Sequence, residues 1–324
     1  MTALRIDLHT ILSPSTFSAM TSQGFIYACI TVVTWGIWLT PSEKVQLPNP
    51  QTRSFYVSVG NLFLATIALI LVGPEKLSVD LFILPFLGGV IWAIAGMCAF
   101  LATANIGMAK AIGTWAPLNI VVGIFWGMIL FGEFLDSGPL SLTLSFMSIL
   151  MIMVGILLIV FSGQSKGETE QTRNVKAGFA GAIAAGILWG TYFIPTTYLA
   201  RQNVEVNDWV TAFPMAVGMF AGSTALVLWG RKRPSCKNRS DYGRVLITGI
   251  LWSIGNFSML LMVQEIGLGK GFTIAQLCVA VAVLIGIFYF REPAPGSKAA
   301  KWTLVGVAIA TTGGIILGNL KSGM

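Results

Sequence analysis

Trp35, Trp38, Trp92, Trp115, Trp189, Tyr192 and Trp252 interrupt otherwise apolar stretches of this 324-residue chain. Neutral hydrogen-bonding side chains lie in the same stretches or at their ends: Thr34, Asn61, Asn105, Thr114, Asn119, Thr191, Asn256, Gln264 and Gln276. An unpaired amide or hydroxyl in hydrocarbon is costly, so each needs a partner in the protein or in a solute. Flat ring faces beside amides and hydroxyls suit a neutral polyol, whose C–H faces stack on the rings while its hydroxyls take the hydrogen bonds. Interface anchoring and helix packing are the alternative for any single ring. From this set the candidate substrate-binding residues are Trp35, Trp38, Trp92, Asn119, Trp189, Tyr192, Asn256 and Gln276.

Other chemistry finds little to stand on. The single histidine, His9, sits in a polar stretch with no His-Glu spacing, and no Gly-rich loop ends in Lys-Ser/Thr. The reading is therefore not an enzyme, with no cofactor and no metal, and any energy for pumping must come from a gradient or a partner. Cys29, Cys98, Cys236 and Cys278 show no close pairing, which suits small core residues better than a disulfide framework or a zinc site. Carboxylates are missing from the interiors of the apolar runs. Glu265, after Gln264, is the nearest candidate for proton coupling; a loop carboxylate paired with Lys270 is the alternative.

The elements that position these groups follow from composition. Apolar residues make up 55% of the chain and charged residues 10%, more apolar surface than a soluble core of this length hides. Runs of spanning length read at 24–41, 54–73, 81–103, 110–131, 143–162, 177–199, 209–230, 243–264, 271–290 and 302–320. They must be helices, because every backbone amide in hydrocarbon needs an internal partner, and no alternating ten-residue strands of a barrel appear. Met20 precedes the first run, so the tail 1–23 reads as an upstream start or a dispensable extension, and the first run as its own insertion signal.

The widest internal polar connection, 163–176, falls at the midpoint and invites a search for repetition. One offset pairs Gly24-Phe25 with Gly178-Phe179, Trp35-Gly36 with Trp189-Gly190, Trp38 with Tyr192 and Pro41 with Pro195. An offset of 160 pairs Trp92 with Trp252 and Lys110 with Lys270; one of 159 pairs Phe131 with Phe290, Glu133 with Glu292 and Gly155 with Gly314. The expected fold is an all-α polytopic membrane protein with ten transmembrane helices as a 5+5 inverted repeat: tail 1–23, first repeat 24–162, linker 163–176, second repeat 177–320 and tail 321–324. An odd number of spans per half inverts the second copy and encloses a central site that either half can expose.

Fifteen of the 20 Lys and Arg residues lie in the odd-numbered connections, which places those in the cytoplasm and both termini outside. Gly123/Gly127, Gly186/Gly190, Gly218/Gly222 and Gly314/Gly318 allow close helix approach. Pro41, Pro117, Pro195 and Pro214 free carbonyls or provide hinges, and the stretch from Gly113 to Asn119 reads as cavity lining.

The duplication, the Gly132-Glu133 pair closing the fourth run and its echo at Arg291-Glu292 resemble the drug/metabolite transporter superfamily. Within it, IGMAKAIGTWAPLNIVVGIFWGMILFGE from Ile106 and IGLGKGFTIAQL from Ile266 resemble the glucose/ribose porter branch of glucose uptake and rhamnose transporters. The resemblance covers the chain after the tail and implies sugar uptake with proton coupling, in a bacterial plasma membrane. The function expected is a secondary carrier or facilitator of a small neutral solute, a monosaccharide, by alternating access. An exporter of amines, amino acids or drugs and a non-transporting scaffold or sensor are the alternatives. Partners are the solute and the bilayer, not nucleic acid, with a homodimer as a further expectation.

Overall fold

The computed structural model describes residues 21–42, 45–73, 77–134, 138–162, 174–202, 208–231, 233–291 and 294–320. His9, the linker 163–173, Glu292 and the C-terminal tail lie outside the described residues. Among those described, ten helical stretches are long and apolar enough to cross a membrane: Ser22–Ser42, Gln51–Val72, Leu81–Thr103, Thr114–Phe131, Pro139–Ser162, Val175–Arg201, Trp209–Trp229, Arg239–Ile266, Leu268–Tyr289 and Lys298–Leu317, here spans one to ten. Each lies within about a turn of its apolar run, since hydrocarbon thickness and backbone satisfaction fix both length and type. Small polar residues start four of them. Thr21, Asn49, Asn174 and Ser297 accept from the backbone N–H of Gly24, Thr52, Ala177 and Ala300 at 3.0–3.1 Å, satisfying donors that a helix leaves free at its N-terminus.

Two connections are tighter than the sequence suggests. Spans eight and nine are separated by Gly267 alone, whose φ of 88° makes the turn that an L side chain resists. Spans three and four belong to one helical trace, Asp80–Phe131, of 52 residues. A straight helix of that length would run about 78 Å, more than twice the hydrocarbon core. The trace doubles back: Gly88 in span three lies against the Tyr192 carbonyl, and Val122 in span four lies against Gly190, only two residues away on span six.

Spans of the first half pack chiefly on spans of the second. Span one lies on spans eight and nine, span two on seven and eight, and span five on ten; the Asp80–Phe131 helix lies on spans six, seven and nine. Two crossings are so close that backbone meets backbone. A Cβ on Gly60 would stand 2.7 Å from the Leu246 carbonyl and 2.9 Å from Gly249 Cα, and one on Gly89 would meet the Met215 carbonyl across the crossing with Gly218. Small residues at such crossings let dispersion and backbone contacts hold helices together where lipid removes the hydrophobic drive.

Several spans are discontinuous. In span one, helix Ser22–Ile37 gives way to a 3-10 turn at Thr40–Ser42. Span six breaks between Trp189 and Ile194, and span nine at Gln276-Leu277. Span four keeps Pro117 within its helix. Spans four and nine end alike: Gly132 (φ 67°) donates its N–H to the Gly127 carbonyl, and Arg291 (φ 60°) donates to that of Gly286.

Candidate solute site

The aromatic residues converge where these breaks lie. Trp252 of span eight is the hub. Trp35 stacks on it at 4.9 Å between ring centroids and 8° between planes, while Trp38 and Trp92 meet it at 5.0 and 5.2 Å with tilted planes. Gly255 leaves the room this needs, since a Cβ there would collide with the Trp35 ring. Trp35, Trp92 and Trp252 are buried, so the rings face the bundle interior rather than lipid.

One helical turn beyond Trp252, on the same face, stands Asn256. Its Oδ1 accepts the Tyr192 hydroxyl at 3.2 Å, and its amide nitrogen rests 3.4 Å from the Met215 sulfur. Tyr192 sits in the span-six break and touches Phe193 and Phe272, joining the tryptophan group to the first half of span nine. Spans four and nine run antiparallel, with Gly127 against Gly269 and Gly123 against Phe272. One more turn of that register sets Asn119 level with Gln276, the residue at the span-nine break. Both are 6% exposed. Trp189 flanks the span-six break from the other side and meets Trp115 edge-on at 5.5 Å.

Hydrogen bonding separates two classes of polar group here. Trp35 Nε1 donates to the Trp252 carbonyl at 3.4 Å, and Trp126 Nε1 donates to the Thr191 hydroxyl at 3.1 Å. The indole nitrogens of Trp92, Trp189 and Trp252 and the Asn119 Oδ1 are buried with no hydrogen-bond partner. Leaving such a group unpaired costs about 1–3 kcal/mol. The Trp92 and Trp252 donors therefore stand unused within the Trp252 cluster, and the Trp189 donor and the Asn119 acceptor beside the span-six break; all four residues are neutral.

Of the sequence candidates, Trp35, Trp38 and Trp92 meet on Trp252, Tyr192 and Asn256 are joined by a hydrogen bond one turn further along span eight, and Asn119, Trp189 and Gln276 lie at or beside the breaks in spans six and nine. Glu265 is not among them. It lies more than two turns beyond Asn256, and its carboxylate accepts the Thr21 hydroxyl at 2.8 Å. Pairing with Lys270 does not occur, because the Lys270 ammonium is buried and donates to the Leu320 carbonyl. Cys29 faces outward, contrary to a core role for all the thiols. Two residues carry more than the sequence revealed. Trp252, one of the recurring aromatics, is central because three spans meet on it. Glu133, expected only as the end of a motif, is 6% exposed and accepts the backbone N–H groups of Leu268 at 2.5 Å and Gly269 at 2.9 Å.

A cavity of about 210 Å³ lies toward the opposite end from Glu133, between spans two, three and seven, lined by Gln51, Ser54, Met97, Phe100, Ser223 and Leu226. Met97 is little more than a turn from Trp92 along span three, so the cavity approaches the tryptophan cluster from that side.

Known proteins resemble the chain along nearly its whole length. A "Putative sugar uptake protein" of Streptococcus agalactiae serotype V is 26% identical over 305 residues, covering 93% of this chain and 99% of that one. Proteins described in the same words from Streptococcus pyogenes serotype M1 and Listeria monocytogenes are 25% and 23% identical, each covering 93% of this chain and 100% of its own. A crystal structure at 15% identity superposes with a TM-score of 0.68, covering 91% of this chain and 97% of that one, so that chain has the same fold. Ten apolar helices and bacterial relatives mark a multi-pass integral protein of the bacterial plasma membrane. The family described as Sugar transport protein matches residues 26–320, and the chain belongs to it.

Proposed function

We propose that the chain carries a monosaccharide of the glucose, ribose or rhamnose type across the membrane by alternating exposure of the tryptophan-lined site. The observation that carries this reading is the set of buried, unpartnered groups: the indole N–H donors of Trp92, Trp189 and Trp252 and the Asn119 oxygen acceptor. A sugar supplies hydroxyls that accept from the three indoles and donate to Asn119, and its C–H faces lie against the rings of Trp35, Trp38 and Trp252. An amine or an anion would call for a counter-charge, and the cluster offers none. Tyr192, Asn256 and Gln276 complete the site.

Alternating exposure follows from an inverted pair of five-span repeats, 24–162 and 177–320. Matching local geometry supports it. The Gly60–Gly249 crossing has its counterpart in Gly218–Gly89, and Gly36 against Cys278 and Val281 has its counterpart in Gly190 against Asn119 and Val122. Breaks in spans one, six and nine and Pro117 in span four provide hinges around the rings. The cavity between spans two, three and seven is the path from Trp92 to the face that the basic connections place in the cytoplasm. In this reading a proton is coupled to the cycle, as the resemblance to proton-coupled sugar porters implies, with Glu265, outside the ring cluster, as the candidate carrier.

Because tryptophans form the site, their emission reports occupancy. Titrating the purified protein with glucose, ribose and rhamnose should give a saturable change in tryptophan emission for at least one of them. Trp252→Phe should shift the half-saturation point upward about tenfold by removing one hydrogen bond. Linear, non-saturating responses to all three would refute the assignment of the site.

A further inference from the structure

Glu133 closes span four and reaches across to the first turn of span nine. Its Oε1 accepts from Leu268 N–H at 2.5 Å and its Oε2 from Gly269 N–H at 2.9 Å. These are opening amides of a helix, with no partners inside it, and a carboxylate there also gains from the helix dipole. The surroundings are shaped to the carboxylate. A Cβ on Gly127 would stand 2.8 Å from Oε2, one on Gly267 2.8 Å from Cδ, and one on Gly269 3.1 Å from Oε2. Spans four and nine also carry Asn119 and Gln276, so a clasp between them bears on the solute site.

We infer that Glu133 is a proton-sensitive latch that holds spans four and nine together at the face of the termini, and that its protonation lets them part. The inference rests on the reading of the chain as an alternating-exposure carrier and adds a coupling residue to it. A proton taken from water at that face would bind one carboxylate oxygen. That oxygen becomes a hydroxyl, a donor and a poor acceptor, so one of the two amides loses its bond. Return of the proton to water restores both.

Among the described residues, the charges acting on Glu133 are few. Arg201, at the end of span six, lies with its guanidinium 5.8 Å from the Phe131 ring centroid, and Lys270 is in the first turn of span nine. Glu265, at the end of span eight, is held by Thr21, and Asp136 lies outside the described residues. Burial raises the Glu133 pKa above the usual carboxylate range, and the two amides and the two cations only partly oppose it. The sign follows: the latch is made when Glu133 is ionised, at high pH, and is released as pH falls through its raised pKa.

Hydrogen exchange at the Leu268 and Gly269 amides reads the latch without any solute. In nanodiscs between pH 4.5 and 8.5, corrected for intrinsic exchange, wild-type protection of these amides should fall roughly tenfold or more toward low pH, the value of one charge-assisted bond. Glu133→Gln should show weak protection at every pH, and Glu133→Asp, which still titrates, should keep a pH-dependent profile. Should Glu133→Gln misfold, the wild-type and Glu133→Asp profiles decide. Flat wild-type protection across the range, or a wild-type profile in Glu133→Gln, would overturn the latch. Either result leaves the sugar assignment standing, and failure of sugar binding in the emission titration would not move this readout.

Discussion

Trp252→Ala is expected to lower uptake of the transported sugar, at concentrations well below saturation, roughly a hundredfold relative to wild type. The change removes one indole donor, about 1.4 kcal/mol at the upper end of the range for a net hydrogen bond, and the face on which the sugar and three tryptophans rest, about another 1–1.5 kcal/mol. Together these reach the 2.7 kcal/mol that corresponds to two decades in affinity. Removing so large a buried side chain also costs about 3–5 kcal/mol of packing. Initial uptake rates therefore need to be normalised to monodisperse protein recovered in the liposomes. Trp252→Phe separates the parts: it keeps a ring for Trp35 to stack on, loses the N–H together with the indole's second ring, and should cost about tenfold. Equal uptake by wild type and Trp252→Ala would remove the tryptophan cluster from the transport path.

Stability should respond most at the backbone crossings. Gly89→Ala places a methyl group against the Met215 carbonyl, a backbone atom that cannot rotate away as a side chain could. The helices must separate, which costs about 3 kcal/mol by the usual penalty for overpacking. Gly60→Ala, at the crossing with Gly249, should behave alike. Gly243→Ala is the control: it lies on the exposed side of span eight with nothing within 4 Å of a new Cβ. Alanine there should be neutral or stabilising by up to about 1 kcal/mol, because it favours the helix. Apparent unfolding temperatures in detergent report the contrast. A Gly89→Ala protein as stable as Gly243→Ala would mean that the crossing is looser than described.

These outcomes also mark what a sequence can disclose. The ten spans are legible because hydrocarbon thickness sets the length of each apolar run, and their helical type because no other open structure satisfies its backbone in lipid. Trp35, Trp38, Trp92 and Tyr192 stand out because rare residues recur in one order. What brings them together does not. Trp252 is the hub through contacts between spans one, three and eight, more than 200 residues apart in the case of Trp35. The break at Gln276-Leu277 has neither proline nor glycine to announce it, whereas Pro117 and Gly190 are visible in the sequence. Glu133 reads as part of a polar connection because its partners, Leu268 and Gly269, are over 130 residues downstream. Glu265 attracted attention through the absence of other acidic residues in the runs, yet its neighbour is a hydroxyl at the start of span one.

The proposed latch and the unpartnered indoles belong to one picture. Spans four and nine carry Asn119 and Gln276 of the proposed site and are joined at one end by Glu133, while the cavity lined by Gln51, Ser54 and Ser223 approaches from the other. A carrier needs such asymmetry: one path closed by a bond that can be undone, the other leading toward the solute.

The most direct test is uptake of radiolabelled glucose, ribose and rhamnose into proteoliposomes containing the purified protein, with and without an imposed proton gradient. The account predicts saturable uptake of at least one of them, greater when the gradient favours proton entry with the sugar, and largely lost with Trp252→Ala. Folded protein that takes up none of the three sugars in saturable fashion would contradict it.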